Sequence, residues 1–117
     1  MPNERGKLGK EGEETASEHL ANIGYNIVER NYRSRAGEID IIAEKDNTIF
    51  FVEVKTRRSV EFKESYSDRQ RIRLRKLAQT YVAEKEIDKQ VSFLVLGISG
   101  DPRSSDFRIE LIEDNFL

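Results

Sequence analysis

IDIIAEKDNTIFFVEVKT, residues 39–56, decides the fold. Two runs rich in β-branched and aromatic residues, Ile39 to Ala43 and Ile49 to Thr56, flank the polar stretch Glu44-Lys45-Asp46-Asn47-Thr48, the composition of a β-hairpin. A two-residue turn at Asp46-Asn47 sets the register and places Asp40 opposite Glu53 and Glu38 opposite Lys55. Strand alternation then sorts the side chains. Asp40 and Ile42 share one face of the first strand against Ile39 and Ile41, while Phe51, Glu53 and Lys55 share one face of the second against Phe50, Val52 and Val54. Asp40, Glu53 and Lys55 are therefore expected to line one surface.

That surface has chemical content. Directly opposed residues on paired strands have Cβ atoms about 5 Å apart, and two carboxylates held so close repel unless a cation or a shared proton relieves them. A hard divalent ion such as Mg²⁺ prefers oxygen ligands, keeps several waters and suits a site of one or two carboxylates that also takes a phosphate. Lys55 could orient or deprotonate a water there, or offset charge developing on the phosphate. An acid and a lysine alternating with apolar residues equally describe a half-exposed, salt-bridged strand. Asp40, flanked by Ile39, Ile41 and Ile42, is the harder residue to explain that way, because a carboxylate is costly to bury unpaired. The residues by themselves leave both readings open.

Outward from the hairpin, Ala16, Leu20 and Ile23 recur at helical spacing within Glu11 to Ile23, and Gly24 follows as a helix-ending glycine. Tyr25 to Tyr32 has a strand-like run, punctuated by Gly37. After a polar, loop-like stretch around Ser59 to Ser67, the residues Ile72, Leu74, Leu77, Ala78, Tyr81 and Val82 mark a second helix whose other face is basic. Val91 to Ile98 is a strand apolar enough to be buried, Gly100-Asp101-Pro102 is a turn, and Phe107, Ile109 and Leu111 alternate in a last strand. The order α-β-β-β-α-β-β predicts an α/β fold, a mixed sheet flanked by helices, in one domain spanning 1–117.

The absence of cysteine excludes a disulfide framework, a thiolate metal site and a Cys nucleophile, and fits a reducing cytoplasm. Met1 to Gly12 has no apolar signal-peptide core and no run reaches membrane-spanning length, so no membrane association is expected. A net charge of −2 argues against a protein that coats nucleic acid. The charge is unevenly distributed, however: residues 55–76 carry nine Lys and Arg against three acids, and residues 99–117 carry five acids against two Arg. Arg57, Arg58, Arg69, Arg71, Arg73 and Arg75 could track phosphates, with Arg30, Arg33 and Arg35 extending the same surface, although a basic helix face is also commonly just solvated. His19, the only histidine, is expected to pack on its helix and is left out of the chemistry. The four tyrosines sit beside apolar residues, where packing is their expected role.

The segments Gly9-Lys10-Glu11-Gly12-Glu13 with Ala16 and Leu20, Gly24-Tyr25, Arg30-Asn31-Tyr32-Arg33, Gly37-Glu38-Ile39-Asp40-Ile41-Ile42-Ala43 and Phe51-Val52-Glu53-Val54-Lys55-Thr56-Arg57, with Leu77-Ala78 and Tyr81, resemble the YraN family of bacterial proteins. The likeness spans nearly the whole chain, and the ordered set is far more specific than any one piece. It implies a restriction-endonuclease-like PD-(D/E)XK fold with an αβββαβ core, distantly similar to archaeal Holliday junction resolvases. By the same resemblance Asp40 takes the place of the motif's Asp, and Glu53 and Lys55 that of its E-X-K. Glu13 is the helix-one acid, and Gln70 is the nearest match to an assisting Gln or Lys on the following helix. Ile39 stands where the motif's proline would be, a departure that leaves the ligands intact.

The function expected is metal-dependent hydrolysis of phosphodiester bonds in DNA, branched DNA included. Asp40, Glu53 and Glu13 would hold Mg²⁺ or Mn²⁺, Lys55 would assist the water, and Arg57, Arg58, Arg69, Gln70, Arg71 and Arg73 would contact nucleic acid. A homodimer or a protein partner is expected if two strands are cut. The alternative is a non-catalytic nucleic-acid-binding or partner-docking module, with Glu38 paired to Lys55 as its signature.

Overall fold

The computed structural model describes residues 4–57, 68–100 and 106–113, with side chains from Glu11 onward. The order is α1 (Glu4–Asn22), β1 (Asn26–Ser34), β2 (Gly37–Lys45), β3 (Thr48–Arg57), α2 (Asp68–Glu84), β4 (Gln90–Gly100) and β5 (Phe107–Glu113). The strands form one sheet in the order β1-β2-β3-β4-β5. β3 and β4 are parallel and the other neighbours antiparallel, so the only non-hairpin crossing between described paired strands is the one that carries α2. This is the mixed α/β architecture with the αβββαβ core expected from the sequence. Among the described residues no helix is long and apolar enough to cross a membrane.

Each helix covers one face of the sheet. Ala16 and Leu20 of α1 pack with Ile41, Ala43, Val52, Leu94, Leu96 and Ile98. Leu74, Leu77, Ala78 and Tyr81 of α2 pack with Ile39, Ile42, Phe51, Phe93 and Val95. β4 lies inside both layers and is buried from Ser92 to Ser99, which is why its sequence reads as a continuous apolar run and not an alternating one. Tyr32 and Tyr81 meet edge to face at 5.1 Å in the α2 layer, and Phe51 joins them at 5.7 Å from Tyr81. Tyr66 lies outside the described residues.

The turns follow their residues. Asp46 and Asn47 both have positive φ, 51° and 60°, as a two-residue I′ hairpin turn requires, and Lys45 pairs with Thr48 as expected. α1 ends with Gly24 at φ 104°, where the Tyr25 amide donates to the Leu20 carbonyl at 2.9 Å and the Gly24 amide to Ala21 at 3.2 Å, a Schellman motif. α2 ends the same way without a glycine: Glu86 takes φ 51° and the Ile87 amide donates to the Val82 carbonyl at 3.0 Å.

Some expectations need correction. α1 begins at Glu4, about two turns before Glu11, because the polar early residues carry no apolar periodicity to announce a helix. Ile23 falls beyond the helix end and is 41% exposed, and Ile72 is 58% exposed on the outer side of α2, so neither belongs to the core. The loop around Ser59 to Ser67 lies outside the described residues, as does the turn after Gly100.

Candidate active site

The register of the hairpin is the expected one, but it stops short of the acids. Ile41 pairs with Val52, and beyond that point β2 and β3 are no longer paired. Asp40 is therefore not in ladder register with Glu53, nor Glu38 with Lys55; the registered neighbour of Glu38 is Arg33 on β1. In place of a backbone carbonyl from β2, the Asp40 carboxylate accepts the Val54 amide at 2.9 Å. A strand amide lies in the plane of the sheet, so the carboxylate occupies the gap where the hairpin splits.

The split also changes the facing of β2. Ile39 packs on the α2 side and Ile41 on the α1 side, although alternation puts them together. β1 makes the same switch beside it: Arg30 reaches Glu14 of α1 at 3.0 Å, while Tyr32 packs against Tyr81 of α2. Asn31 between them has φ 55°. Asparagine tolerates this left-handed conformation better than most residues, which explains its presence in a strand.

Four carboxylates gather at the split. In the amide orientation that satisfies both ends, Asn31 donates to Glu38 Oε1 at 2.8 Å and to Glu13 Oε2 at 3.2 Å, joining α1 to β2. Glu38 Oε2 is 3.4 Å from Arg33 Nε. Burial, together with the charges of Glu13, Glu53 and Glu38, pushes Asp40 up to about 7, against the opposing effect of the Val54 amide. Glu53 lies on the α2 side, where its Oε1 is 3.8 Å from Arg73 Nη2. Its Oε2 is buried and meets no hydrogen-bond donor among the described residues.

Glu13 is delivered by a close helix contact. A Cβ at Gly12 would meet the Thr56 methyl at 2.5 Å, so only glycine lets α1 lie directly on β3 at that point. Lys55 is half-buried on β3 and, by alternation within that strand, shares the side of Glu53. Hence Asp40, Glu53, Glu13 and Lys55 come from α1, β2 and β3 to one end of the hairpin.

The basic residues are more dispersed. Of those named from the sequence, Arg73 reaches the cluster at Glu53, held over Gly37 on its way, and Arg33 reaches it at Glu38. Arg71 is 3.9 Å from Asp68, one helical turn back, Arg69 is exposed and Gln70 half-buried. Arg57 closes β3 opposite Ser99; its side chain, and Arg58 altogether, lie outside the described residues. The spacing gives Asn31 no role in the site and does not anticipate Arg33 as the strand neighbour of Glu38. The available signal was an Asn, a turn-former depleted in strands, within Arg30-Asn31-Tyr32-Arg33.

A family profile described as Uncharacterised protein family UPF0102 matches residues 12–112. The chain belongs to this family, the one to which the YraN resemblance pointed. UPF0102 proteins similar to it include one from Dictyoglomus turgidum, 38% identical over 114 residues, covering 94% of this chain and 97% of the relative. Another, from Persephonella marina, is 47% identical over 94 residues, covering 77% and 81%. A third, from Caldicellulosiruptor bescii, is 40% identical over 115 residues, covering 94% and 97%.

Among the described residues, no three or more acidic or histidine side chains already surround one point as metal ligands do. The chemistry of the donors nevertheless fits a hard cation: carboxylates only, a buried Glu53 oxygen without a donor among the described residues, and an Asp40 whose ionisation is opposed by burial and by its acidic neighbours.

Proposed function

We propose that the split hairpin is the catalytic centre of a metal-dependent nuclease that hydrolyses phosphodiester bonds in DNA. The observation that carries this reading is Asp40, half-buried in the gap between β2 and β3, fixed by the Val54 amide and within electrostatic reach of Glu13, Glu53 and Glu38. A fold gains nothing in stability from gathering four acids there, and strained electrostatics of this kind cluster at functional sites.

Asp40 and Glu53 would hold Mg²⁺ or Mn²⁺, with Glu13 binding through water; two carboxylates suffice for Mg²⁺, which keeps much of its hydration. The bound ion would neutralise the acids, lower the pKa of a water and polarise the phosphate. The chain's own groups do the positioning. The Val54 amide fixes the orientation of the Asp40 carboxylate, and Asn31 holds Glu13 and Glu38 in place. Lys55 orients the attacking water or balances charge on the phosphate, and Arg73 exchanges Glu53 for a phosphate oxygen. Cutting both strands of a duplex calls for a second copy or a protein partner.

The second reading is a non-catalytic nucleic-acid-binding or docking module. It is favoured by the internal neutralisation of the cluster, Arg73 near Glu53 and Arg33 near Glu38. The deciding experiment is Mg²⁺- or Mn²⁺-dependent cleavage of labelled duplex, single-stranded and branched DNA, and of RNA, by the wild type beside Asp40→Asn. Cleavage lost in the variant supports the nuclease. Nucleic-acid binding without cleavage supports the module.

A further inference from the structure

A cavity of about 610 Å³ opens beside the acid cluster, walled by residues 33–36 at the corner between β1 and β2 and by Lys76, Gln79, Thr80 and Glu84 of α2. Arg33, Arg35 and Lys76 give it three cations against one acid. That acid is already engaged, since Glu84 Oε2 accepts the Tyr32 hydroxyl at 3.2 Å. Gln79 and Thr80 add neutral polar groups, and no aromatic ring is among the lining residues.

Both walls lead to the proposed catalytic centre. On α2, Arg73, Lys76 and Thr80 follow one another at i, i+3 and i+7, a single stripe, with Arg73 reaching Glu53 at 3.8 Å. On the other wall Arg33 touches Glu38, which shares Asn31 with Glu13. We propose that this groove holds the backbone of single-stranded DNA and leads the strand into the acid cluster. The destination of the strand rests on the nuclease reading; the groove's affinity does not. The volume lies in the range of pockets that take one small ligand, enough for a nucleotide-sized unit and too little for stacked base pairs. Arg35 and Lys76 bind phosphate oxygens by charge-assisted hydrogen bonds. Contacts made to phosphate oxygens carry no sequence information, so binding is insensitive to sequence.

The test is fluorescence anisotropy of a labelled single-stranded oligonucleotide in EDTA, where metal-dependent cleavage is silent. Arg35→Glu with Lys76→Glu is expected to weaken binding at least tenfold. The milder Arg35→Ala with Lys76→Ala is expected to lower the slope of log affinity against log salt by roughly 1.4, about 0.7 for each lost phosphate contact. Glu84→Gln, which keeps an acceptor for Tyr32, is expected to tighten binding a few-fold, and thermal melts confirm that each variant folds. Unchanged affinity in both Arg35/Lys76 double variants overturns the proposal. So does tighter binding of a duplex of the same length, or equal binding of a Glu-rich peptide of matched charge. Binding that follows the groove variants while no divalent ion supports cleavage removes the nuclease reading and leaves the groove standing. Cleavage insensitive to the groove variants does the reverse.

Discussion

The Val54 amide donates to the Asp40 carboxylate at 2.9 Å, a side chain standing where the paired strand's carbonyl would be. The bond both opens the hairpin and holds an acid in the opening. Its first consequence is a pH dependence. Asp40 is raised from 3.8 to about 7 in the folded protein, so the native state binds this proton more tightly than the unfolded chain does. Its contribution to stability is complete below about pH 4 and is lost as pH rises towards 7. Asp40→Asn keeps an acceptor for Val54 and removes the charge. In calorimetry with EDTA present, the variant is expected to melt several degrees above the wild type at pH 8 and close to it at pH 4. A wild type as stable as the variant at pH 8 would contradict this electrostatic account.

Arg73 tests the same acids from the other side. Its guanidinium, 3.8 Å from Glu53, stands in for part of the charge that a metal would supply. Arg73→Ala is expected to raise Mn²⁺ affinity a few-fold, read by titration with electron paramagnetic resonance, and to weaken DNA binding in the same protein. Glu53→Gln is expected to lower Mn²⁺ affinity at least tenfold. If Mn²⁺ binds equally to wild type and Glu53→Gln, this carboxylate is not a ligand.

Gly12 controls the approach of α1. A Cβ there would lie 2.5 Å from Thr56 Cγ2, a methyl on a stiff β-branched side chain. Gly12→Ala is expected to destabilise the protein by about 1–3 kcal/mol in urea unfolding, the usual range for overpacking. Thr56→Ala removes the methyl, leaving Thr56 Cβ about 4.0 Å from the new one. The double variant should recover most of the loss, and additive effects would show that the two do not oppose each other.

What was legible in the sequence follows from how local each determinant is. Asp46-Asn47 chose the turn and with it the register from Lys45–Thr48 to Ile41–Val52. The apolar run of β4 and the 3–4 spacing in α2 located the two-sided core. Pattern arguments failed where periodicity itself breaks. Ile39 and Ile41 face opposite layers because the strand is twisted out of the ladder at Asp40, and alternation cannot anticipate its own interruption. Asp40 and Glu53 follow from strand chemistry and Glu13 from the family resemblance, and Glu13 and Glu53 lie within electrostatic reach of Asp40, whereas the ties through Asn31 and Arg73 depend on tertiary placement that spacing does not encode.

The end of α2 illustrates the same point and gives the last prediction. α1 advertises its termination through Gly24, but α2 closes an equivalent Schellman motif on Glu86, at φ 51°. A side chain in that conformation costs about 1–2 kcal/mol, and no sequence rule marks glutamate as a helix stop. The strain is tolerated because Val82 and Ile87, either side of the turn, both pack against the α2 core and over-determine the backbone there. Glu86→Gly relieves the steric cost while adding flexibility to the unfolded chain, so the net gain should be about 0.5–1 kcal/mol. Glu86→Val, β-branched at positive φ, should lose more than that. Urea unfolding of both variants checks the sign; a glycine variant less stable than wild type would mean that the Glu86 side chain contributes more than its backbone strain removes.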